Sequence, residues 1–423
     1  MKGCKNIWIF NHYAITPDLP GGTRHFDFGK ELIKRGFNVT IFASSFIHGI
    51  FEDKKLKNGE NWKIENYEGV NFVWIKTFPY NRNNWRRLFN ILSYSWRAYS
   101  IGKKMSKLSK SINVQPPSVI IGSSFHPLAA FVAYKLSKFY KVPFVLEIRD
   151  LYPQSLIDLN RVSKNNLISK IINLFMDYLY KRADKIIILM PNAYEVFKSL
   201  GVRREKIIWI PNGINLMYLK DVSYGSIARN DKCFKVTFAG SLNNANSIDT
   251  LILAAKIIQD LYESKILFEV YGDGKEKSKL LSLKESAGLY NLKFLGVIPK
   301  SDVYKVLCGA SILWVGQKRR NIYKYGVSFN KLFDYLAAGK PIIFSSNASN
   351  NPVAEAGAGL TVPPEDPEAV AEAIIKLYNM SEEERERMGK NGRKYVEKYH
   401  SIPVLVDKLE KVIKEVCNKK TID

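Results

Sequence analysis

Residues Gly326 to Pro341 read GVSFNKLFDYLAAGKP, and the apolar run Ile342–Phe344 follows them. Four apolar side chains in this stretch have the i, i+3, i+4, i+7 spacing of a helix that packs on a sheet: Phe329, Leu332, Phe333 and Leu336. Ser328 is a favourable N-cap, and Gly339 with the following Pro341 indicates where the helix ends. The stretch therefore predicts one helix followed by one buried strand, which is a repeat unit of an α/β sheet.

The start of this helix is a candidate anion site. Its unpaired amides would face a ligand at the positive end of the helix dipole: Val327, Ser328, Phe329 and Asn330. Lys331 lies in the first turn, where a cation opposes the dipole unless an anion is bound. Asp334 lies three residues further on the same face. Two interpretations stay open: a surface Lys–Asp pair on a core helix, or a phosphate bound by Lys331 with Asp334 accepting from a ribose hydroxyl.

The segment SFNKLFDYLAAGKPII resembles the nucleotide-sugar motif of family 4 glycosyltransferases. The resemblance implies an α/β protein with the GT-B fold, in which two Rossmann-like domains face a cleft and the last helix crosses back to the first domain. Asp334 matches the family's second motif acid, which binds ribose. The first acid would fall at Gly326, so this chain lacks it. The segment also resembles the O-antigen and capsule branch typified by N-acetyl-L-fucosamine transferases, where a Ser-x-Asn-Lys step and a missing first acid are usual.

The bulk properties of the chain agree with two domains. A length of 423 residues predicts two domains of about 200 residues each. The four cysteines are scattered without a CxxC pair, which predicts reduced thiols in a cytosolic protein and argues against a metal site or a disulfide framework. No uncharged apolar run reaches the length of a membrane-spanning helix, so we expect a soluble or peripheral protein.

The net charge of +24 predicts an anionic partner: nucleic acid, a membrane surface or a phosphate-bearing substrate. Between Gly69 and Leu146 the chain has no acidic residue and twelve lysines and arginines. The predicted helix Asn84–Lys110 carries an apolar stripe: Trp85, Leu88, Phe89, Leu92, Trp96 and Tyr99. Its basic positions are Arg86, Arg87, Arg97, Lys103, Lys104 and Lys107. The stripe is either ordinary core or, as we favour from the missing acids, a surface for anionic lipid. No RNA-module motif is visible.

Polar residues follow two predicted parallel strands of the first half. His126 comes after one strand, and Glu147, Arg149 and Asp150 come at the end of the next. Ligands of open α/β sheets bind at this edge, although a structural His and a turn-capping Asp150 are also possible. SSFHP and EIRDLYP resemble segments that line the acceptor side of the family's cleft. The resemblance implies that His126 touches the reacting sugar and that Asp150 binds or activates the acceptor.

The loop after the first strand carries Gly21 and Gly22, followed by Arg24 and His25. The absence of GxGxxG argues against a dinucleotide site. The resemblance implies that the two glycine amides approach the donor diphosphate and the acceptor. For Arg24 and His25, a role in the site and an ordinary solvated loop remain equal alternatives.

A turn at Pro211–Gly213 indicates the end of a first domain (1–213). We expect a linker (214–232) and a second domain (233–398) after it, and the resemblance implies that a last helix (399–423) returns to the first domain. The resemblance implies two turns that read uracil through backbone groups: Gly272, Asp273 and Gly274, and then Gly296, Val297 and Ile298. The family's Arg and Lys for the diphosphate are missing, and Ser241 and Asn246 stand near their positions. Lys331 is the expected replacement, with Lys318, Arg319 and Arg320 as alternatives.

These residues and the family resemblance predict transfer from a nucleoside-diphosphate sugar, expected to be a UDP-N-acetylated or deoxy sugar, and the resemblance implies that the anomeric configuration is retained. Catalysis would depend on stabilising the leaving diphosphate, with His126, Asp150 and Lys331 in catalytic roles and no metal or other cofactor. The expected acceptor is a polyprenyl-diphosphate-linked sugar of O-antigen or capsule synthesis, at the inner face of the cell membrane. Alternatives are a soluble acceptor, a non-catalytic sugar-nucleotide-binding protein and, from charge alone, a nucleic-acid-binding protein.

Overall fold

A computed structural model describes residues 4–81, 85–108, 114–158, 163, 166–219, 233–262 and 265–419. The chain forms two compact units: unit 1 comprises Met1–Pro211 with Ile402–Asp423, and unit 2 comprises Asn212–Ser401. Residues 220–232, which make up most of the predicted linker, lie outside the described residues. The same is true of Asn84 and Lys110, the ends of the predicted basic helix. In the described part of the chain, no helix is long and apolar enough to cross a bilayer.

The described part of unit 1 contains an eight-stranded sheet with the order β10-β9-β8-β7-β1-β2-β6-β5. Its strands are β1 (Asn6–Phe10), β2 (Asn38–Ser44), β5 (Trp62–Tyr67), β6 (Val70–Ile75), β7 (Val119–Ser123), β8 (Phe144–Ile148), β9 (Lys185–Ile188) and β10 (Ile207–Trp209). The pairs are parallel, except that β5 runs antiparallel to β6. A separate antiparallel pair consists of β3 (Phe46–Ile47) and β4 (Glu52–Asp53). Helices cover both faces of the parallel strands, which explains their nearly continuous apolar sequences.

The helices of unit 1 are α1 (Arg24–Lys34), α2 (Arg86–Leu108), α3 (Pro127–Tyr140), α4 (Gln154–Asp158), α5 (Leu167–Arg182), α6 (Tyr194–Lys198) and α14 (Ile402–Lys419). A 3-10 turn covers Arg204–Lys206. The last helix, α14, packs against α1 and contributes its apolar face to the core of this unit. The expected return of the C-terminal helix to the first domain is therefore confirmed.

The described part of unit 2 contains a six-stranded parallel sheet with the order β13-β12-β11-β14-β15-β16. Its strands are β11 (Phe234–Ala239), β12 (Ile266–Tyr271), β13 (Leu292–Gly296), β14 (Ile312–Gly316), β15 (Ile342–Ser345) and β16 (Gly359–Val362). Its helices are α7 (Ile248–Tyr262), α8 (Lys277–Ser286), α9 (Val303–Gly309), α10 (Asn330–Ala338), α11 (Pro352–Ala356), α12 (Pro367–Asn379) and α13 (Glu382–Tyr399). Short 3-10 turns cover Leu216–Leu219, Asn244–Asn246, Lys300–Asp302 and Asn321–Tyr325.

The helix predicted from the opening stretch is α10, and Leu332, Phe333 and Leu336 of its predicted stripe are buried as expected, whereas Phe329 precedes the helix and is half-buried. Gly339 ends it in the left-handed conformation at φ 69°. The predicted N-cap was wrong. The cap residue is Phe329, because the Ser328 hydroxyl accepts instead from the Asn212 amide at 2.7 Å.

The apolar stripe of α2 does not face the core. Trp85, Leu88, Phe89, Leu92 and Trp96 are exposed, with 65% of Trp85 and 71% of Trp96 accessible. The buried side of α2 consists instead of Asn90, Tyr94, Ala98, Ile101, Gly102 and Met105. The interpretation of the stripe as ordinary core was therefore wrong, because α2 packs against the protein through another face.

The expectation of reduced thiols was wrong for two of the four cysteines. Cys4 and Cys417 form a disulfide that joins the segment before β1 to the end of α14. The two residues are 413 positions apart in the sequence. Their scattered spacing gave no signal, since only the return of α14 to unit 1 brings them together.

Candidate functional site

Unit 2 places Lys331 at the centre of a candidate anion site. The Lys331 ammonium group donates to the side-chain oxygen of Asn246 and lies 5.1 Å from the ring centroid of Phe238. No carboxylate among the described residues pairs with this ammonium group. Burial lowers the pKa of Lys331 to about 7. A bound anion would restore the charge that burial disfavours.

The amides at the start of α10 are only partly available. The Val327 amide donates to Asn350 Oδ1 at 2.7 Å, so it does not point a free donor at a ligand as predicted. Ser328 is tied through its hydroxyl and its carbonyl to Asn212. The first-turn amides of Asn330 and Lys331 have no intrahelical acceptor, as at any helix start. Fewer backbone amides are therefore available to an anion than the sequence predicted.

Asp334 accepts from the Tyr304 hydroxyl at 2.7 Å and is half-buried. It forms no ion pair with Lys331, whose ammonium group bonds to Asn246. The interpretation of these two residues as a surface Lys–Asp pair was therefore wrong. Asp334 remains a predicted ribose ligand, now with a phenol fixing one carboxylate oxygen.

The Gly272–Gly274 turn owes its glycines to a close backbone approach. A Cβ at Gly272 would lie 1.9 Å from the Gly240 carbonyl oxygen, and one at Gly274 would lie 2.2 Å from the Leu242 carbonyl oxygen. Gly272 also has φ 131°, which disfavours L side chains. Asp273 accepts from the Gly274 amide at 2.6 Å and pairs with Lys277. The backbone of this turn after β12 therefore packs directly against the backbone of the loop after β11.

The second candidate base-binding turn follows β13. Gly296 has φ 77° and its carbonyl accepts from the Gly272 amide at 2.7 Å, which joins the two turns. Val297 is 72% exposed, and Ile298 is half-buried. The exposed Val297 side chain leaves an apolar surface that a base could contact.

Of the alternative cations, Lys318 is already neutralised. Its ammonium group lies 2.7 Å from Asp249 Oδ2 and 3.1 Å from Glu365 Oε1. The Arg319 amide donates to Glu365 at 2.8 Å. Lys318 therefore supplies little charge to a ligand, and Lys331 is the better-placed cation.

In unit 1, Arg24 and His25 lie at the start of α1 and are buried, so their interpretation as a solvated loop was wrong. Arg24 donates to Glu147 Oε1 at 2.9 Å and to the carbonyls of Ile210 and Pro211. His25 Nε2 lies 2.8 Å from Glu147 Oε2. Burial alone would raise the pKa of Glu147, but His25 and Arg24 hold it well below its ordinary value. This group ties α1 to the end of β8.

His126 caps α3, where its Nδ1 accepts from the Ala129 amide at 3.2 Å. Its Nε2 lies 2.8 Å from His12 Nδ1. Since the backbone bond fixes Nδ1 as an acceptor, Nε2 carries the proton and donates to His12. Both ring nitrogens are thus used inside unit 1. A sugar could hydrogen-bond to the His126 ring only by exchanging one of these bonds.

His12 belongs to this site although the sequence gave no reason to select it. Its ring stacks between Tyr13 and Tyr94, with centroid distances of 4.3 and 4.2 Å. Burial lowers the pKa of His126 to about 3 and that of His12 well below its ordinary value, so both rings are neutral at neutral pH. Only its position directly after β1, at the ligand-binding edge of the sheet, could have indicated its role.

Asp150 and Arg149 follow β8 at the same edge and are half-buried. Burial raises the pKa of Asp150, with the charges of Arg149 and Arg87 acting in the opposite direction. Arg149 lies over the Phe125 ring at 5.3 Å. Gly21 and Gly22 are exposed in the loop before α1. In unit 1 the parallel sheet therefore brings together His126, Arg149 and Asp150, while Glu147 serves the ion pair beneath them.

Among the described residues, no group of three or more His, Cys, Asp or Glu side chains could hold a metal ion. The candidate sites consist of hydrogen-bond donors, Lys331, Arg149, the carboxylates Asp150 and Asp334, and neutral imidazoles.

Comparisons with known proteins agree with this architecture. Residues 21–218 match the Glycosyltransferase Family 4 model, and residues 223–395 match the Glycosyl transferases group 1 model. The probable glycosyltransferase WbjE of Pseudomonas aeruginosa is 20% identical over 318 residues, which cover 72% of this chain and 76% of that protein.

Solved structures share the fold. The sucrose-phosphate synthase of Thermosynechococcus elongatus aligns over 97% of this chain and 98% of its own, with 17% identity and a TM-score of 0.72. Anabaena Alr3699/HepE in complex with UDP and glucose aligns over 97% and 99%, with 14% identity and a TM-score of 0.65. With a family 4 model on its first half, a group 1 model on its second and parallel α/β sheets in both units, this chain is a glycosyltransferase with the GT-B fold.

Proposed function

We propose that this enzyme transfers a sugar, with retention of anomeric configuration, from a UDP-sugar to a lipid-linked sugar acceptor during surface polysaccharide synthesis. The observation that carries the donor half is Lys331, a half-buried cation at a helix start with no carboxylate partner among the described residues. A diphosphate there would supply the missing counter-charge.

The nucleotide would extend from Lys331 toward the two linked turns. Asp334 would accept from the ribose, and the exposed Val297 with the Ile298 backbone would contact uracil. HepE, a structural neighbour, has been solved with UDP and glucose, which favours UDP as the donor nucleotide. The leaving diphosphate would be stabilised by Lys331 and the first-turn amides, and such preorganised donors are usually the largest catalytic contribution.

The acceptor half of the proposal rests on the surface of unit 1. The exposed apolar face of α2 is matched by a second exposed face on α5: Leu167, Ile168, Ile171, Leu174 and Tyr178. Both helices pack against α3. The helix α2 lies in the stretch without acidic residues, and α5 carries one acid, Asp177, among three basic residues, so these faces fit the interface of an anionic membrane, where a lipid-linked acceptor resides.

Asp150 and His126 are the proposed acceptor-side and sugar-side residues. Asp150 is half-buried at the sheet edge, where its carboxylate could accept from an acceptor hydroxyl. His126 would position the sugar through its ring after exchanging its bond to His12. Alternatively, it would hold in place the start of α3, which it caps.

Two measurements test this function. A panel of nucleotide sugars should yield at least one that binds tightly and is consumed in the presence of a polyprenyl-diphosphate-linked sugar, with the α or β configuration of the donor kept in the product by NMR. Binding without turnover of any acceptor would favour a non-catalytic sugar-nucleotide-binding protein.

The membrane contact is tested by co-sedimentation with vesicles of 30% phosphatidylglycerol in phosphatidylcholine. Changing Trp96 or Leu174 to Ser should lower the bound fraction about tenfold or more, since a buried large apolar side chain contributes about 1.5–3 kcal/mol. Leu261→Ser, at an equally exposed position on α7 in unit 2, is the matched control and should bind like the parent. A parent protein that stays in the supernatant would favour a soluble acceptor.

A further inference from the structure

One basic residue of α2 lies where the exposed apolar face meets the polar edge of the unit 1 sheet. Arg87 is the second residue of α2 and is half-buried. Its chain neighbours Trp85, Leu88 and Phe89 are exposed. Its own side chain turns the other way, and Nε donates to the Tyr13 hydroxyl at 3.2 Å. Arg87 therefore joins the two surfaces that a lipid-linked acceptor would need.

The side chains around Arg87 can bind an anion. Its guanidinium carbon lies 5.5 Å from the Tyr13 ring centroid, and although burial opposes it, the neighbouring Tyr13, Tyr80 and Tyr152 raise the pKa of Arg87. The Tyr13 and Tyr80 hydroxyls share a hydrogen bond, and Tyr80 is bonded in turn to His48. Phenols are neutral at neutral pH and can donate to phosphate oxygens. An arginine among phenols is thus a site that recognises charge and geometry together.

Local electrostatics also favour an anion here. Arg86 and Arg87 both occupy the first turn of α2, where cations oppose the helix dipole. The chain from Gly69 to Leu146 supplies no carboxylate to offset them. A phosphate placed at Arg87 would interact favourably with both charges and with the helix start.

Arg87 lies near the candidate reacting groups of unit 1. Tyr13 lies between Arg87 and His126, with 6.1 Å between the Tyr13 and His126 ring centroids. The charge of Arg87 also acts on Asp150. A phosphate at Arg87 would leave the attached sugar beside Tyr13 and Asp150, and the lipid chain along the exposed face of α2.

We infer that Arg87, with the Tyr13 hydroxyl, binds a phosphate of the lipid-linked acceptor. This contact would position the acceptor sugar at the sheet edge and the lipid chain along α2. This inference rests on the proposed function, because it assigns the diphosphate subsite of that acceptor.

The probes are farnesyl diphosphate and farnesol, titrated calorimetrically below micelle-forming concentrations. Arg87→Met should weaken farnesyl diphosphate binding at least tenfold, and Tyr13→Phe about threefold or more. Arg97→Met, on the same helix with its guanidinium on Asn61, is the matched control and should stay within twofold. Farnesol, which has the tail without phosphates, should bind all variants alike. Arg87→Lys keeps the positive charge but not the planar guanidinium group, so its affinity for farnesyl diphosphate should lie between those of the parent and Arg87→Met.

Vesicles of 30% phosphatidylglycerol separate the acceptor phosphate from lipid headgroups. The inference predicts that Arg87→Met and Arg97→Met change vesicle binding by similar, small factors. Equal binding of farnesyl diphosphate by both variants, or a loss of vesicle binding specific to Arg87→Met, would overturn it. Titrations of the same proteins with the panel of nucleotide sugars distinguish a failure of this inference from a failure of the proposed function. A parent that binds no UDP-sugar defeats the proposed function, whereas normal UDP-sugar binding with unchanged farnesyl diphosphate affinity in Arg87→Met defeats only this inference.

Discussion

The Lys331 ammonium group donates its hydrogen bond to Asn246, a residue 85 positions earlier in the chain. Asn246 closes the 3-10 turn after β11, in the loop where the family resemblance led us to expect an Arg and a Lys. Here the loop supplies a neutral oxygen that holds a lysine from α10. The positive charge thus comes from the helix and its orientation from the loop.

Replacing Lys331 by Met should weaken UDP-glucose binding about ten- to a hundredfold, because a hydrogen bond to a charged group contributes about 1.5–3 kcal/mol. Lys318→Met is the control, since Lys318 already pairs with Asp249 and Glu365. Calorimetric titration at pH 7 compares the two. An effect of Lys318→Met as large as that of Lys331→Met would place the diphosphate elsewhere.

The affinity for UDP-glucose should also depend on pH above neutrality. Burial lowers the pKa of Lys331 to about 7 in the free protein, and a bound diphosphate should raise it. The complex therefore holds one more proton than the free protein above pH 7, and the dissociation constant should rise up to about tenfold per pH unit between pH 7 and 9. Titrations in buffers of different ionisation enthalpy should detect proton uptake, and a flat profile in the parent would contradict the assignment. Lys331→Met should lose this dependence.

Unit 1 should lose stability in mild acid because of His12 and His126. Burial holds both folded-state pKa values below the ordinary value, at about 3 for His126, so the unfolded chain binds protons first as the pH falls below about 6.5. The free energy of unfolding should then fall by about 1.4 kcal/mol per pH unit for each histidine. His126→Gln should remove one such contribution.

Urea-dependent hydrogen exchange of peptides spanning β1 and β7 measures this slope between pH 6.5 and 5. Peptides spanning β14 and β15 provide an internal control in unit 2 and should be unaffected by His126→Gln. An unchanged slope in β1 and β7 would mean that His126 is protonated in the folded protein.

Gly272→Ala should destabilise unit 2, because the new Cβ would lie 1.9 Å from the Gly240 carbonyl oxygen and the residue has φ 131°. Strained backbone of this kind costs about 1–3 kcal/mol before the steric clash is added. Gly309→Ala, where a Cβ meets nothing within 4 Å, should be nearly neutral. Thermal unfolding followed by intrinsic fluorescence compares them, and equal melting temperatures would refute the close approach of the two loops.

The sequence by itself determined the α/β class, because the periodicity of α10 and the buried apolar strands are local properties. It also determined that α2 has one apolar stripe, and that His126 and Asp150 follow strands of one sheet edge. It could not determine which side of α2 is covered. Helical spacing identifies residues that share a face and says nothing about the element that packs on it.

The tertiary structure alone decided the pairings between distant residues. His12 meets His126 across 114 residues, and Arg24 meets Glu147 across 123. These contacts form because parallel strands align their carboxyl ends at one edge, bringing together loops that are far apart in the chain. The same reason explains why Arg24 is a buried ion-pair partner and why Lys331 meets Asn246, whereas Cys4 meets Cys417 because α14 returns to unit 1. Local pattern fixes the elements, whereas sheet order fixes which side chains meet.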